Sequence, residues 1–279
     1  METTSDNRIS PEELTNPLPP GRWLFSVGMT AVAFILTAMA LLPLLAILVE
    51  ILRQGVPHLT WEVFTALPAP VGMEGVPNGF ANAIAGTVMM VTIAAVLSIP
   101  IGVLTAIYLS EFGKSRAIAQ AIRFVVTILS GVPSIVVGVF AFGVIVLPIV
   151  ILATEEALKL VPTNQRLASA ALGANPLQTT FRIVVATALP GITTGVLLAV
   201  ARAAGETAPL IFTALFTQNW PEGLLHPAPS LSVLIYNYSN SAFVEQNQLA
   251  WSASTILVGM VLVFSILSRF VTRKRLKSR

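Results

Sequence analysis

Long apolar runs separated by short polar segments set the pattern of this chain. Residues 23–51 form the first run, with Glu50 and Arg53 at its far end. Residues 80–109 carry no charge, and residues 117–154 carry only Arg123. Residues 183–216 are apolar apart from Arg202 and Glu206, and residues 251–270 close the series with Arg269 at their end. A membrane-spanning helix needs roughly 20 mostly apolar residues. The pattern therefore predicts an all-α, polytopic helical membrane protein. The segments between runs are too short to hold a soluble domain.

Lys and Arg placement orients the runs, because positive charge is retained on the cytoplasmic side. Lys114, Arg116 and Arg123 follow the second run, and Lys159, Arg166 and Arg182 follow the third. Arg273, Lys274, Arg275, Lys277 and Arg279 make residues 271–279 a basic tail. The loop at 216–250 has no Lys or Arg, and the loop at 52–78 has only Arg53. Both termini are thus expected in the cytoplasm, with the loops near 65 and 235 outside. Trp61, Phe64, Trp220, Tyr236, Tyr238 and Phe243 on those outer loops read as interfacial anchors, with a docking surface for an outer partner as the alternative. Residues 1–22 are polar, lack the apolar core of a signal peptide and read as a cytoplasmic tail.

Parity constrains residues 117–154, which leave the cytoplasm and return to it and so must cross twice or form a re-entrant hairpin. Only 31 uncharged residues lie between Arg123 and Glu155, whereas two crossings need roughly 40. Pro133 and Pro148 are candidate breaks, since proline removes a helix hydrogen bond.

Composition supports the membrane reading. Hydrophobic residues make up 55% of the chain and charged residues 10%, against about 25% charged in soluble domains. Cysteine is absent, which excludes disulfides and thiolate chemistry. His58 and His226 lie outside the apolar runs, so no histidine metal cluster is expected. No phosphate-binding Gly-rich loop and no catalytic triad or paired carboxylates appear, so ATP hydrolysis, if used, belongs to another subunit.

Arg202, Glu206 and Thr207 are the candidate pathway residues. An arginine at the bilayer centre costs about 2.5–3.5 kcal/mol on insertion scales and normally faces a bundle interior or a water-filled path. Glu206, four residues on, is expected on the same helix face, where it pairs with Arg202. One reading is a structural ion pair. The other is a lined path for a polar solute, since a guanidinium fork matches phosphate or carboxylate oxygens. Pro209 would loosen the backbone beyond the pair. Gly191 and Gly195 permit close helix packing.

Residues 155–182 read as a cytoplasmic segment of two short helices. The first covers residues 155–160. The second starts at Thr163 or Asn164, a candidate N-cap, and runs to Leu172, with Gly173 as its stop. Such an exposed helix pair suits docking into a groove of a soluble partner.

These residues carry a family resemblance. Ala168, Ala170, Ala171, Leu172, Gly173 and Ala174, with Leu189-Pro190-Gly191 after them, resemble the coupling signature of ABC importer permeases. Arg202 with Gly205-Glu206-Thr207-Ala208-Pro209-Leu210 resembles the phosphate-specific permeases, the PstA-like subunit more closely than the PstC-like one. Asn82 to Thr87, Tyr108 to Gly113, Gly131-Val132-Pro133-Ser134 and Thr154-Glu155-Glu156 are similar too, so the likeness runs from about 77 to 216. It departs from the family pattern where Leu167 replaces a glutamate, where Val185-Ala186 replaces a first Leu-Pro, and where Leu152 replaces an arginine. Relatives also carry a further apolar stretch before Leu147-Pro148. Either the hairpin here is compressed, or a segment is missing at Val146–Leu147.

The resemblance implies a type I ABC importer permease fold of about six spans, the third and fourth shortened or incomplete. The permease domain would cover 23–270, with its core at 77–270. Ala168 to Ala174 would dock on the ATPase. The partners implied are a PstC-like permease, two PstB-like ATP-binding subunits, a periplasmic PstS-like phosphate-binding protein, inorganic phosphate and membrane lipid, with no nucleic acid. This chain would bind no cofactor or metal and have no catalytic residues; ATP and Mg would sit on the ATPase. The implied location is the bacterial inner membrane. Alternatives are a permease for phosphonate, sulfate or molybdate, a secondary transporter working without ATP, and a membrane scaffold.

Overall fold

The computed structural model describes residues 19–73, 75–113, 116–131, 141–223 and 226–276. Among the described residues the chain is helix and turn throughout, with no strand. Residues 1–18 of the expected N-terminal tail, the Pro133 break and the last three residues of the basic tail lie outside them, and Pro20–Arg22, expected in that tail, are helical. The chain divides into two units, Met1–Glu50 and Ile51–Arg279.

The first unit is built on α1 (Pro20–Gly55), whose last turn belongs to the second. Its apolar side chains from Trp23 to Val49 are exposed around most of the helix. A helix apolar on all sides is suited to lipid. Thr30 and Thr37 donate their hydroxyls to the carbonyls of Ser26 and Ala33 one turn back in the same helix.

The second unit starts with a 3-10 turn (Val56–His58) and α2 (Glu62–Thr65), followed by α3 (Ala81–Ile107), which a π turn, Tyr108–Phe112, extends. Next come α4 (Ala117–Gly131), α5 (Ala141–Lys159) and the short α6 (Thr163–Ala171). Then α7 (Pro176–Gln178) runs through a second π segment, Thr179–Val184, into α8 (Val185–Ala204). The chain ends with α9 (Ala208–Thr213), α10 (Leu231–Ser239) and α11 (Val244–Leu276).

Small residues let α3, α5 and α8 pack backbone against side chain. Ala94 of α3, Val146 and Val150 of α5, and Ala199 and Ala203 of α8 form one buried cluster. A Cβ on Gly195 would fall 2.6 Å from the Ala153 Cβ, and one on Gly191 would fall 3.0 Å from the Ala157 Cβ. The Gly191 and Gly195 pair thus seats α8 on α5.

The unit has two chemically different ends. At one, Glu111, Arg123, Glu155, Lys159 and Arg166 converge in ion pairs. At the other, the turns around residues 55–80 and 214–230 close over the starts of α3 and α11. There Asn82 donates to the Asn219 carbonyl at 3.1 Å and Ser252 to the Gly55 carbonyl at 3.2 Å.

Among the described residues, four helical stretches are long and apolar enough to cross a membrane: Pro20–His58, Ala81–Phe112, Pro176–Ala204 and Val244–Ile266. Between the second and third of these lie α4, 15 residues, and α5, 19 residues. At 1.5 Å per residue they reach about 22 and 28 Å. These two helices occupy the stretch where shortened third and fourth spans are expected, and each is shorter than the roughly 30 Å hydrocarbon core.

Several local expectations change. Pro148 does not break the chain; it lies inside α5, which runs unbroken across Val146–Leu147. Pro43, Pro100 and Pro190 are likewise inside helices, as membrane-spanning helices tolerate. Residues 155–160 are not a separate helix, because Glu155 to Lys159 form the last turns of α5 with no breaker before them. Pro162, rather than Thr163 or Asn164, occupies the cap position of α6, without a side-chain cap bond. Gly173 does end that element, with φ +79°.

Candidate functional site

The apolar run at 183–216 is two helices rather than one. α8 ends at Ala204, Gly205 caps it, and Pro209 in the first turn of α9 starts a new helix. Proline is accommodated there because its missing N–H has no partner in a first turn anyway. Glu206 is consequently beyond the helix that carries Arg202, not four residues along it. The turn still brings the charges together: Arg202 Nε lies 3.6 Å from Glu206 Oε1. That separation is an ion pair without a hydrogen bond.

The break lies deep in the bundle. Val200 and Ala204 pack with Val91, and Ala199 and Ala203 with Ala94, both from the middle of α3. At this depth the Arg202 side chain is 69% exposed, while Glu206 is 15% exposed. Arg202 therefore points away from its own bundle and Glu206 is tucked into it. Ser232, at the start of α10, donates to the Glu206 carbonyl at 2.9 Å and fixes the turn. Thr207 is half-buried, and its hydroxyl makes only a long 3.4 Å contact to the Gly205 carbonyl. The three expected pathway residues thus share one turn, and Ser232 is a fourth participant that no local sequence signal marked.

The second candidate region is α6. Ala168, Ala170, Ala171, Leu172 and Gly173 are exposed and Ala174 is half-buried. Leu160, Leu167 and Leu172 stand out from the surface, Leu172 at 89% exposure. The opposite face of α6 is polar and bound. Arg166 grips Glu111 with Nη2 at 2.9 Å and Nε at 3.4 Å. Ser169 meets the Thr179 hydroxyl at 2.9 Å. Behind it, Arg123 pairs with the buried Glu155 at 3.0 Å and donates to the Leu109 carbonyl at 2.8 Å. The two charges that bound the uncharged stretch 124–154 are therefore partners.

Residues 98–277 match the family described as binding-protein-dependent transport system inner membrane component. The phosphate transport system permease protein PstA of Yersinia pestis is 37% identical over 83% of this chain and 84% of its own length. The chain belongs to the PstA family of ABC importer permeases. The PstA protein of Haemophilus influenzae is also 37% identical, over 86% of this chain and 91% of its own. The probable PstA of Methanocaldococcus jannaschii is 31% identical, over 91% and 94%.

Solved structures agree on the fold of this PstA-family member. A bacterial alginate ABC transporter chain superposes with a TM-score of 0.62 at 13% identity, covering 91% of this chain and 96% of that one. The inward-facing methionine transporter MetNI gives 0.55 at 19%, covering 69% and 94%. The chain is a multi-pass inner-membrane permease.

Proposed function

We propose that this chain is the translocation subunit of an ATP-driven importer of inorganic phosphate. The carrying observation is Arg202: a guanidinium 69% exposed at the depth of the middle of α3, beside a broken helix. Lipid cannot accept that charge cheaply, so it faces a second permease subunit or the water-filled path between the two. Broken helices at mid-depth are where transporters place polar cargo. Arg202 would contact the phosphate oxygens and Glu206 would hold it when the path is empty, with Thr207 supplying a further hydroxyl.

The remaining assignments follow the family and the charge pattern. The end that gathers Arg123, Lys159 and Arg166 faces the cytoplasm, as do both termini. Ala168 to Ala174 and the exposed Leu172 dock on a separate ATPase, which would bind ATP and Mg and carry out hydrolysis. A related permease completes the path. A phosphate-binding protein delivers its cargo to the loops near 65 and 235. Phosphate as cargo draws on the names of the relatives and on the fit of a guanidinium to phosphate.

Uptake of radiolabelled phosphate by the assembled complex in vesicles, with unlabelled phosphate, sulfate, molybdate or phosphonate as competitor, tests this reading. Competition by phosphate alone is expected. Equal competition by sulfate or molybdate would reject phosphate as the cargo, and uptake without ATP would reject ATP-driven import.

A further inference from the structure

We propose that Arg166 is a positioning residue that transmits the movement of α6 to α3 through its forked ion pair with Glu111. The proposal rests on the importer reading above and adds the part through which the ATPase would act on the spans.

α6 has two faces. Gln165, Arg166 and Ser169, spaced as one helical face, bind the rest of the chain, and Leu167, Ala168, Ala170 and Ala171 are exposed. Gln165 Oε1 accepts from the Thr187 hydroxyl at 3.2 Å and Ser169 meets Thr179 at 2.9 Å. The first tie runs to the start of α8 and the second to the segment leading into it, to which α6 is already joined by a short connection. A push on α6 reaches α5 and α8 through the backbone in any case.

α3 has no such connection. Glu111 is 55 residues from Arg166 in sequence, and the two meet through Nη2 at 2.9 Å and Nε at 3.4 Å. The same guanidinium donates to the carbonyls of Leu158, in the last turn of α5, and Val161, just beyond it. One side chain thus joins α6, the end of α5 and the end of α3. The pair is mostly enclosed, with 19% of the Arg166 side chain and 9% of the Glu111 side chain exposed. Two parallel bonds fix orientation as well as distance, as a transmitting joint requires.

Glu111 is also poorly placed for helix stability alone. It ends a helix, where the backbone carbonyls disfavour negative charge. Its turn, Tyr108–Phe112, is π-helical, a widened geometry found mostly at functional sites. The far partner of α6, Thr179–Val184, is π-helical too. α6 is therefore tied at both sides to turns whose backbone can yield.

The test uses this chain assembled with its partner permease and ATPase in vesicles, reading ATP hydrolysis and phosphate uptake together. Glu111→Gln and Arg166→Gln should assemble and hydrolyse ATP, with uptake per ATP about tenfold lower or worse, since one charge is left unpaired. Arg166→Lys, which keeps the charge but loses the fork, should recover only part of it.

A second readout needs no cargo. The chain has no cysteine, so Leu104→Cys on α3 and Asn164→Cys on α6 can carry a spin-label pair. Nucleotide trapping should leave their separation unchanged with Arg166 present and shift it in Arg166→Gln. Wild-type coupling in both single variants overturns the proposal. So does an unshifted separation in Arg166→Gln. Absence of phosphate uptake by the unmutated complex would instead count against the importer reading, and the label separation would still judge the joint.

Discussion

The Thr87 hydroxyl oxygen accepts a hydrogen bond from the Leu231 N–H at 2.9 Å while donating to the Ala83 carbonyl at 2.8 Å. This buried relay fastens the start of α10 to the start of α3, 144 residues away in sequence. α10 also carries Ser232, which holds the Glu206 turn, so the relay supports the candidate site from behind. Thr87→Val keeps the shape and leaves the Leu231 N–H without its acceptor. A loss of about 1–3 kcal/mol is expected, seen as a lower unfolding temperature of the complex in detergent. Thr87→Ser should stay near the unmutated value.

Close packing of α8 on α5 gives a second test. A Cβ on Gly195 would fall 2.6 Å from the Ala153 Cβ, inside any real contact distance. Gly195→Leu should destabilise by about 1–3 kcal/mol through overpacking. Adding Ala153→Gly should return part of it, because the crowding atom is then gone. Thermal unfolding of the three variants checks this.

Gly173 separates backbone geometry from contact. Its φ is +79°, and a Cβ there would meet no atom within 4 Å. Gly173→Val therefore acts through strain, about 1–2 kcal/mol for a side chain forced into the left-handed region. The cost falls on the turn that follows the exposed Leu172. The amount of ATPase co-purifying with the chain should drop, and Gly173→Asn should drop it less.

Much of this was readable in the sequence because lipid imposes a simple rule. Long apolar runs located α1, α3, α8 and α11, and the two charges at Arg123 and Glu155 marked the short helices between them. The Gly173 stop and the small-residue contacts of Gly191 and Gly195 were readable for local reasons, a positive φ and an absent side chain. The helix break at Gly205 was not, since an apolar run continues through it, and only the glycine and Pro209 hint at a restart. Arg166–Glu111 and Ser232–Glu206 were hidden for another reason. Each joins residues distant in sequence, and no periodicity encodes which charge meets which. The motif residues Asn82, Gly86 and Thr87 similarly turn out to be anchors. Asn82 binds the Asn219 carbonyl, and a Cβ on Gly86 would fall 2.0 Å from the Pro229 carbonyl oxygen.

Everything proposed for transport converges on one exposed guanidinium, so phosphate uptake by the assembled complex carrying Arg202→Gln is the most direct measurement. The side chain packs against little of its own bundle at 69% exposure; its loss should leave unfolding temperature and ATPase co-purification unchanged. Uptake should be abolished, with Arg202→Lys recovering only part of it because a point charge replaces a fork. Uptake at the unmutated rate in Arg202→Gln would contradict the account.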